Sequence, residues 1–120
     1  MCASTDPCLL LAADTRIVAV AEAAKEMLRL PVDVETARPR FLNAGLSFLD
    51  FTADANPLGE AELARLAPIQ ALQTDALEHG LMRLEQGGSH RTFDVIASPL
   101  HSPPQLDAIG SLAFVTAVGL

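Results

Sequence analysis

Extended apolar patterns occupy the two ends of this chain, and helical periodicity is confined to its middle. Residues 9–12 and 17–20 are short apolar runs around Asp14-Thr15, which read as a β-hairpin. Asp14 suits the turn because its carboxylate can accept from a backbone N–H two residues on. Residues 81–86, the connection Gly87-Gly88 and residues 91–100 read as a second hairpin, and residues 109–118 as a last strand. Two strands before the helices and three after them predict one antiparallel sheet of five strands with helices on one face. That is an α+β fold, not an alternating α/β one.

The middle is less uniform. Residues 21–30 are rich in Ala, Glu and Leu, strong helix formers, and Pro31 sets the end. Residues 31–44 read as an irregular loop, and Gly45-Leu-Ser-Phe-Leu-Asp-Phe51 as a one- or two-turn helix or a packed loop. The longest helical signal is 60–79, with Leu63, Leu66, Ile69, Leu72, Ala76 and Leu77 near helical spacing. Pro68 predicts a kink or a division into two helices. His79-Gly80 reads as the helix stop.

Composition narrows the function classes. At 120 residues, 50% of them hydrophobic, the chain makes one domain, taken here as 9–120 behind a lead segment 1–8. The longest uninterrupted apolar run, 8–13, is far short of the roughly 20 residues of a membrane span. No Lys or Arg precedes it, so the start lacks the positive region of a signal peptide. Cys2 and Cys8 are too close together to staple a domain, which predicts reduced thiols and a cytoplasmic setting. A net charge of −7, no basic cluster, and no Trp or Tyr argue against nucleic acid as a partner.

Taken in order, the segments resemble a PAS domain. Leu11-Ala-Ala-Asp14-Thr-Arg-Ile17-Val18-Ala-Val20-Ala-Glu22-Ala23-Ala24-Lys-Glu-Met27-Leu28 is similar to that family's opening strand, turn, strand and short helix. Gly45–Phe51, Arg91-Thr-Phe93-Asp-Val95-Ile-Ala97-Ser98-Pro99-Leu100 and Ile109-Gly110-Ser-Leu112-Ala-Phe114-Val115 resemble later segments, so the likeness runs over nearly the whole chain. Glu22 stands where many members have Asn. The resemblance implies a sensory or regulatory module in signal transduction that binds a small ligand or contacts proteins. It also implies a homodimer, and an output domain or partner protein in a longer chain. The flavin-binding LOV branch carries an adduct-forming cysteine on a mid-domain helix, a position that Cys2 and Cys8 do not occupy. Haem-binding members place a histidine on the long helix. His79 is the nearest candidate here, and a helix cap accounts for it more simply.

Phe93, Val95, Ala97, Gly110, Leu112 and Phe114 are the expected sheet face under the helices, with Phe48, Phe51, Leu72 and Leu77 covering it. In this fold the core and a ligand pocket coincide, and a filled core is the simpler reading. Arg83 has two readings: a clamp for a ligand carboxylate or phosphate in the pocket, or an outward charge if Met82 and Leu84 face the core. The second keeps apolar residues inside. Val18, Val20, Ile96, Ala113, Val115 and Ala117 are expected on the opposite face, as a dimer surface. No His, Cys or carboxylate set has metal-ligand spacing. Ser98 and Ser102 lie near His101 without a third group to hold a base, so no enzymatic activity is expected. A ligand-free interaction module and a small-molecule enzyme of cone-like α+β fold stand as alternatives.

Overall fold

The computed structural model describes residues 7–101 and 108–118; Cys2 and Ser102 lie outside them. Strands β1 (Cys8–Ala12) and β2 (Ile17–Val20) precede α1 (Glu22–Leu28) and α2 (Val34–Ala37). A 3-10 turn at Phe41–Asn43, the short β3 (Phe48–Leu49), α3 (Glu60–Leu63) and α4 (Ala67–Thr74) follow. The chain then runs through β4 (Glu78–Gln86), β5 (Ser89–Leu100) and β6 (Gly110–Val118). The sheet has six strands in the order β2-β1-β6-β5-β4-β3, every pair antiparallel. The sixth is β3, formed where a short helix or packed loop was expected.

Turn chemistry fixes the hairpins and helix ends. Gly87 and Gly88, at φ 59° and 87°, make the tight β4–β5 connection that favours two left-handed residues. Pro68 lies in the first turn of α4, where its missing N–H costs no helical bond. The single long helical signal is thus divided into α3 and α4. Helix α4 stops at Thr74, with Asp75 left-handed at φ 56° as its C-cap. His79 is therefore not a helix cap. It lies on β4 opposite Ile96, because pairing with β5 runs back to Glu78↔Ala97 and draws the expected helix end into the sheet.

Helices cover one face. Helix α4 packs across β4, β5 and β6. Its Ala67, Ile69 and Ala71 share one core with Leu9, Leu11, Met82, Leu84, Phe93 and Val95. Gly110 is needed where β6 passes β1: a Cβ there would stand 2.7 Å from the Leu11 carbonyl oxygen. The Val20 N–H, on the outermost strand, donates to Glu35 Oε2 of α2, and Lys25 of α1 pairs with the same carboxylate. A side chain thereby occupies a donor that would otherwise be open to strand addition. Cys8 is disulfide-bonded, which corrects the expectation of reduced cysteines.

The phase of β6 is opposite to the one expected. Antiparallel partners share a face, and the register pairs Ala97 with Ala113, Val95 with Val115 and Phe93 with Ala117. Ala113 and Val115 are therefore inside, Ala117 packs against the core, and Leu112 and Phe114 point outward. The physical reason is the closeness of α4, which leaves room on β6 for small side chains and turns the large ones out. Val20 is also buried in the core, and Val18 is half-buried.

Candidate functional site

Two features of the described surface are candidates. The first is the outer sheet face. Ile96 and Phe114 are direct cross-strand partners and stand 43% and 42% exposed. Leu81 and Val118 on the same face are 51% and 48% exposed. Leu10 and Leu112, also paired, continue the apolar strip toward β1. Of the residues expected to form a docking face, Ile96 lies here; Phe114 and Val118 were missed because the β6 phase was inverted, and Leu81 of β4 was not included in the expected face. His79 Nε2 and Asp94 Oδ1 meet at 2.5 Å within this face, so a hydrogen-bonded polar pair lies beside the apolar strip.

The second feature is a pair of adjoining cavities at the β3 side of the sheet, sharing Leu46, Ser47 and Glu85 as a common wall. The larger, about 300 Å³, is lined mostly by apolar residues, among them Leu42, Leu49, Leu58 and Leu63. The smaller, about 180 Å³, carries Arg29, Glu85 and Gln86 as well as Leu28 and Leu84. Gln86 continues the inward alternation of Met82 and Leu84 and is 7% exposed. Its Nε2 donates to the Met27 carbonyl at 3.0 Å. That carbonyl can only accept, which fixes the orientation of the amide. Oε1 is left buried with no hydrogen-bond partner among the described residues, a condition that typically costs about 1–3 kcal/mol. Ser111 Oγ is a second such atom, on the inner face of β6. The alternation of apolar residues at 82 and 84 was the signal that could have identified Gln86 as an inward polar group.

The expected pocket residues disperse. Phe93, Val95 and Ala97 are wholly buried in the core, and Phe48 packs against Phe41 with ring centroids 5.4 Å apart. Gly110 is buried against β1 and Leu72 is half-buried. Phe51 and Leu77 are 55% and 66% exposed and cover nothing; both sit in connections flanking short elements. Arg83 lies on the outer side of β4, and its Nη1 donates to the carbonyls of Asp50 and Thr52.

Asp50 organises the loop that Arg83 holds. Its Oδ1 accepts from Thr52 Oγ1 at 2.6 Å and from the amides of Thr52 and Asn56. The Thr52 hydroxyl is the main cause that lowers the Asp50 carboxyl below its ordinary value, helped by the two amides and the Arg83 charge. Among the described residues no group of three His, Cys, Asp or Glu could hold a metal ion. No described helix is long and apolar enough to cross a membrane.

No protein-family model and no curated protein matches the chain. Solved structures do. A PAS domain of a protein from Colwellia psychrerythraea superposes with a TM-score of 0.64 at 14% identity, covering 96% of this chain and 87% of that one. The LOV domain of a blue-light activated histidine kinase from Erythrobacter litoralis gives 0.66 at 11% identity, covering 98% and 99%. The PAS domain of the fruit-fly ELK potassium channel gives 0.67 at 10% identity, covering 98% and 89%.

This chain has the PAS fold.

At these identities the likeness lies in backbone architecture: the antiparallel sheet with helices on one face. The expected α+β class and PAS resemblance stand, with a strand count of six. The LOV neighbour belongs to a blue-light activated histidine kinase. In the present PAS fold Cys8 lies on β1 and not on a mid-domain helix, so the adduct-forming arrangement is not reproduced by that residue.

Proposed function

We propose that this PAS-fold chain is a sensory or regulatory signalling module that works by self-association through the outer face of its sheet. The observation that carries the reading is the strip of Leu81, Ile96, Phe114 and Val118, each more than two-fifths exposed on one face. Isolated exposed apolar residues are ordinary, whereas several gathered on one face mark an interaction surface. The occupant proposed is a second copy. Ile96 and Phe114 are direct strand partners at the centre of the strip, with Leu81 and Val118 at nearby positions of the same face, and a two-fold axis through it would set this patch of one copy against the same patch of the other. A signal shifts such a module only if it binds the associated and free states with different affinity. Strand β6, which carries Phe114 and Val118 outside and Ala113 and Val115 inside, links the core to that face.

Sedimentation velocity over a concentration series tests the reading. The parent chain is expected to dimerise at micromolar concentrations, and Phe114→Glu and Leu81→Lys to shift association at least tenfold toward monomer with unchanged circular dichroism. A parent chain that is monomeric at several hundred micromolar would overturn it.

A further inference from the structure

We infer that the outer-face association proposed above is switched by protonation of His79, so that two copies of this chain bind each other more tightly as the medium becomes more acidic. The inference rests on that reading and adds its regulation. His79 lies directly opposite Ile96, and Asp94 directly opposite Leu81. The hydrogen-bonded pair of His79 Nε2 and Asp94 Oδ1 is therefore flanked by two residues of the apolar strip. A second copy that covers Leu81 and Ile96 must cover the pair as well. In the single chain the two side chains are 61% and 38% exposed, so covering them takes both out of water.

The charge balance of the pair sets the direction. With a neutral imidazole it carries the uncompensated charge of the Asp94 carboxylate, and a two-fold axis brings two such charges into one desolvated face. With a protonated imidazole it is an ion pair without net charge, joined by a charge-assisted hydrogen bond. Association therefore favours the protonated form, and by reciprocity protonation favours association. Among the described residues His79 is the one ion-pair partner of Asp94. On β4 the Arg83 guanidinium turns to the Asp50 and Thr52 carbonyls and to His90 of β5, and Glu85 lies beyond it, opposite His90. Glu78 shares the inner side with Ala97 and accepts from Thr74 Oγ1. Arg91 of β5 is also turned inward, over the Phe93 ring. Strand β6 adds no charge, since it presents Leu112, Phe114, Thr116 and Val118 on this face.

Sedimentation velocity of the full chain at pH 8 and pH 6 tests this, with His79→Gln and Asp94→Asn alongside and circular dichroism to check that each is folded. Carboxylates ordinarily titrate near about pH 4, below this window. His90 and His101 are kept in all three proteins, so comparison with His79→Gln isolates His79. From pH 8 to pH 6 the parent dimer is expected to tighten about tenfold or more beyond any change in His79→Gln, because each proton taken up on association contributes about a factor of ten per pH unit. Asp94→Asn should associate more tightly than the parent at pH 8 and weaken as pH falls, because its His79 cation then enters the interface unpaired. A parent that dimerises with the same pH response as His79→Gln overturns the inference and leaves self-association standing, as does a parent-like response in Asp94→Asn. A parent that is monomeric at several hundred micromolar at both pH values overturns the two together.

Discussion

Arg83 holds Asp50 across the edge of the sheet: its Nη1 donates to the Asp50 carbonyl at 3.1 Å and to the Thr52 carbonyl at 2.9 Å, while Nη2 lies 3.2 Å from His90 Nδ1. One guanidinium thus joins β4, the start of β5 and the loop after β3. The loop needs this tie because β3 is only two residues long.

Arg83→Met keeps the stem and removes the charge. It is expected to cost about 0.5–1.5 kcal/mol, in the ordinary range for partly exposed hydrogen bonds. Amide hydrogen exchange at Thr52 and Asn56 should accelerate well before the core strands respond. Unchanged exchange in that loop would show that the Asp50 side chain alone holds it.

The Asp50 carboxyl titrates below its ordinary value of 3.8 in the folded chain, chiefly through the Thr52 hydroxyl. A carboxyl lowered on folding contributes stability that is fully present above its unfolded value and lost as pH falls through the folded one. Asp50→Asn should therefore be less stable than the parent at pH 6. The difference should shrink as both are taken below about pH 4, the ordinary carboxylate range. Urea melts of the two proteins between pH 3 and pH 6 measure it.

Gly110→Ala should destabilise by about 1–3 kcal/mol, the usual range for an unaccommodated methyl group. The atom it meets is the backbone oxygen of Leu11, which moves only with β1. Gly80→Ala, with open space around its Cβ position, should change stability by less than about 1 kcal/mol. Chemical denaturation of the pair compares a close approach with an ordinary strand glycine.

The two phenylalanines of neighbouring strands face opposite ways, and truncation separates them. Phe93→Ala removes a wholly buried ring and should cost about 3–5 kcal/mol. Phe114→Ala, on the outer face, should cost the monomer less than about 1 kcal/mol. Similar losses at both positions would contradict the observed phase of β6.

The parts of the fold that were legible in the sequence are those where local pattern and tertiary structure agree. The hairpin around Asp14 has apolar runs on both sides of a turn residue whose Oδ1 accepts the Arg16 amide, and it formed with pairing from Leu9↔Val20 to Leu11↔Ile17. The inward face of β5 was legible because Phe93 and Val95 are large and alternate with polar residues. The face of β6 was not. Its inward residues are Ser111, Ala113, Val115 and Ala117, smaller on the whole than the outward Leu112 and Phe114, and a ranking by size inverts them. Only the close passage of α4, a contact distant in sequence, decides the matter. His79 was misread for a related reason: a local helix-stop pattern was overridden by strand pairing with Ile96. Of the candidate site, Ile96 was legible as an outward residue. Gln86 was not singled out, because a polar residue at the end of a strand looks solvated until the cavity beside it is known.

The most direct test of self-association through the outer face is an isotope-filtered NOE experiment on a mixture of labelled and unlabelled chains. Ile96 and Phe114 are neighbours within one copy, so only filtering for contacts between copies reports on association. The account predicts intermolecular NOEs from the methyl groups of Ile96 and Leu81 to the Phe114 ring of the other copy. Absence of filtered signals at millimolar concentration, or signals confined to β2 or β3 at the sheet edges, would contradict it.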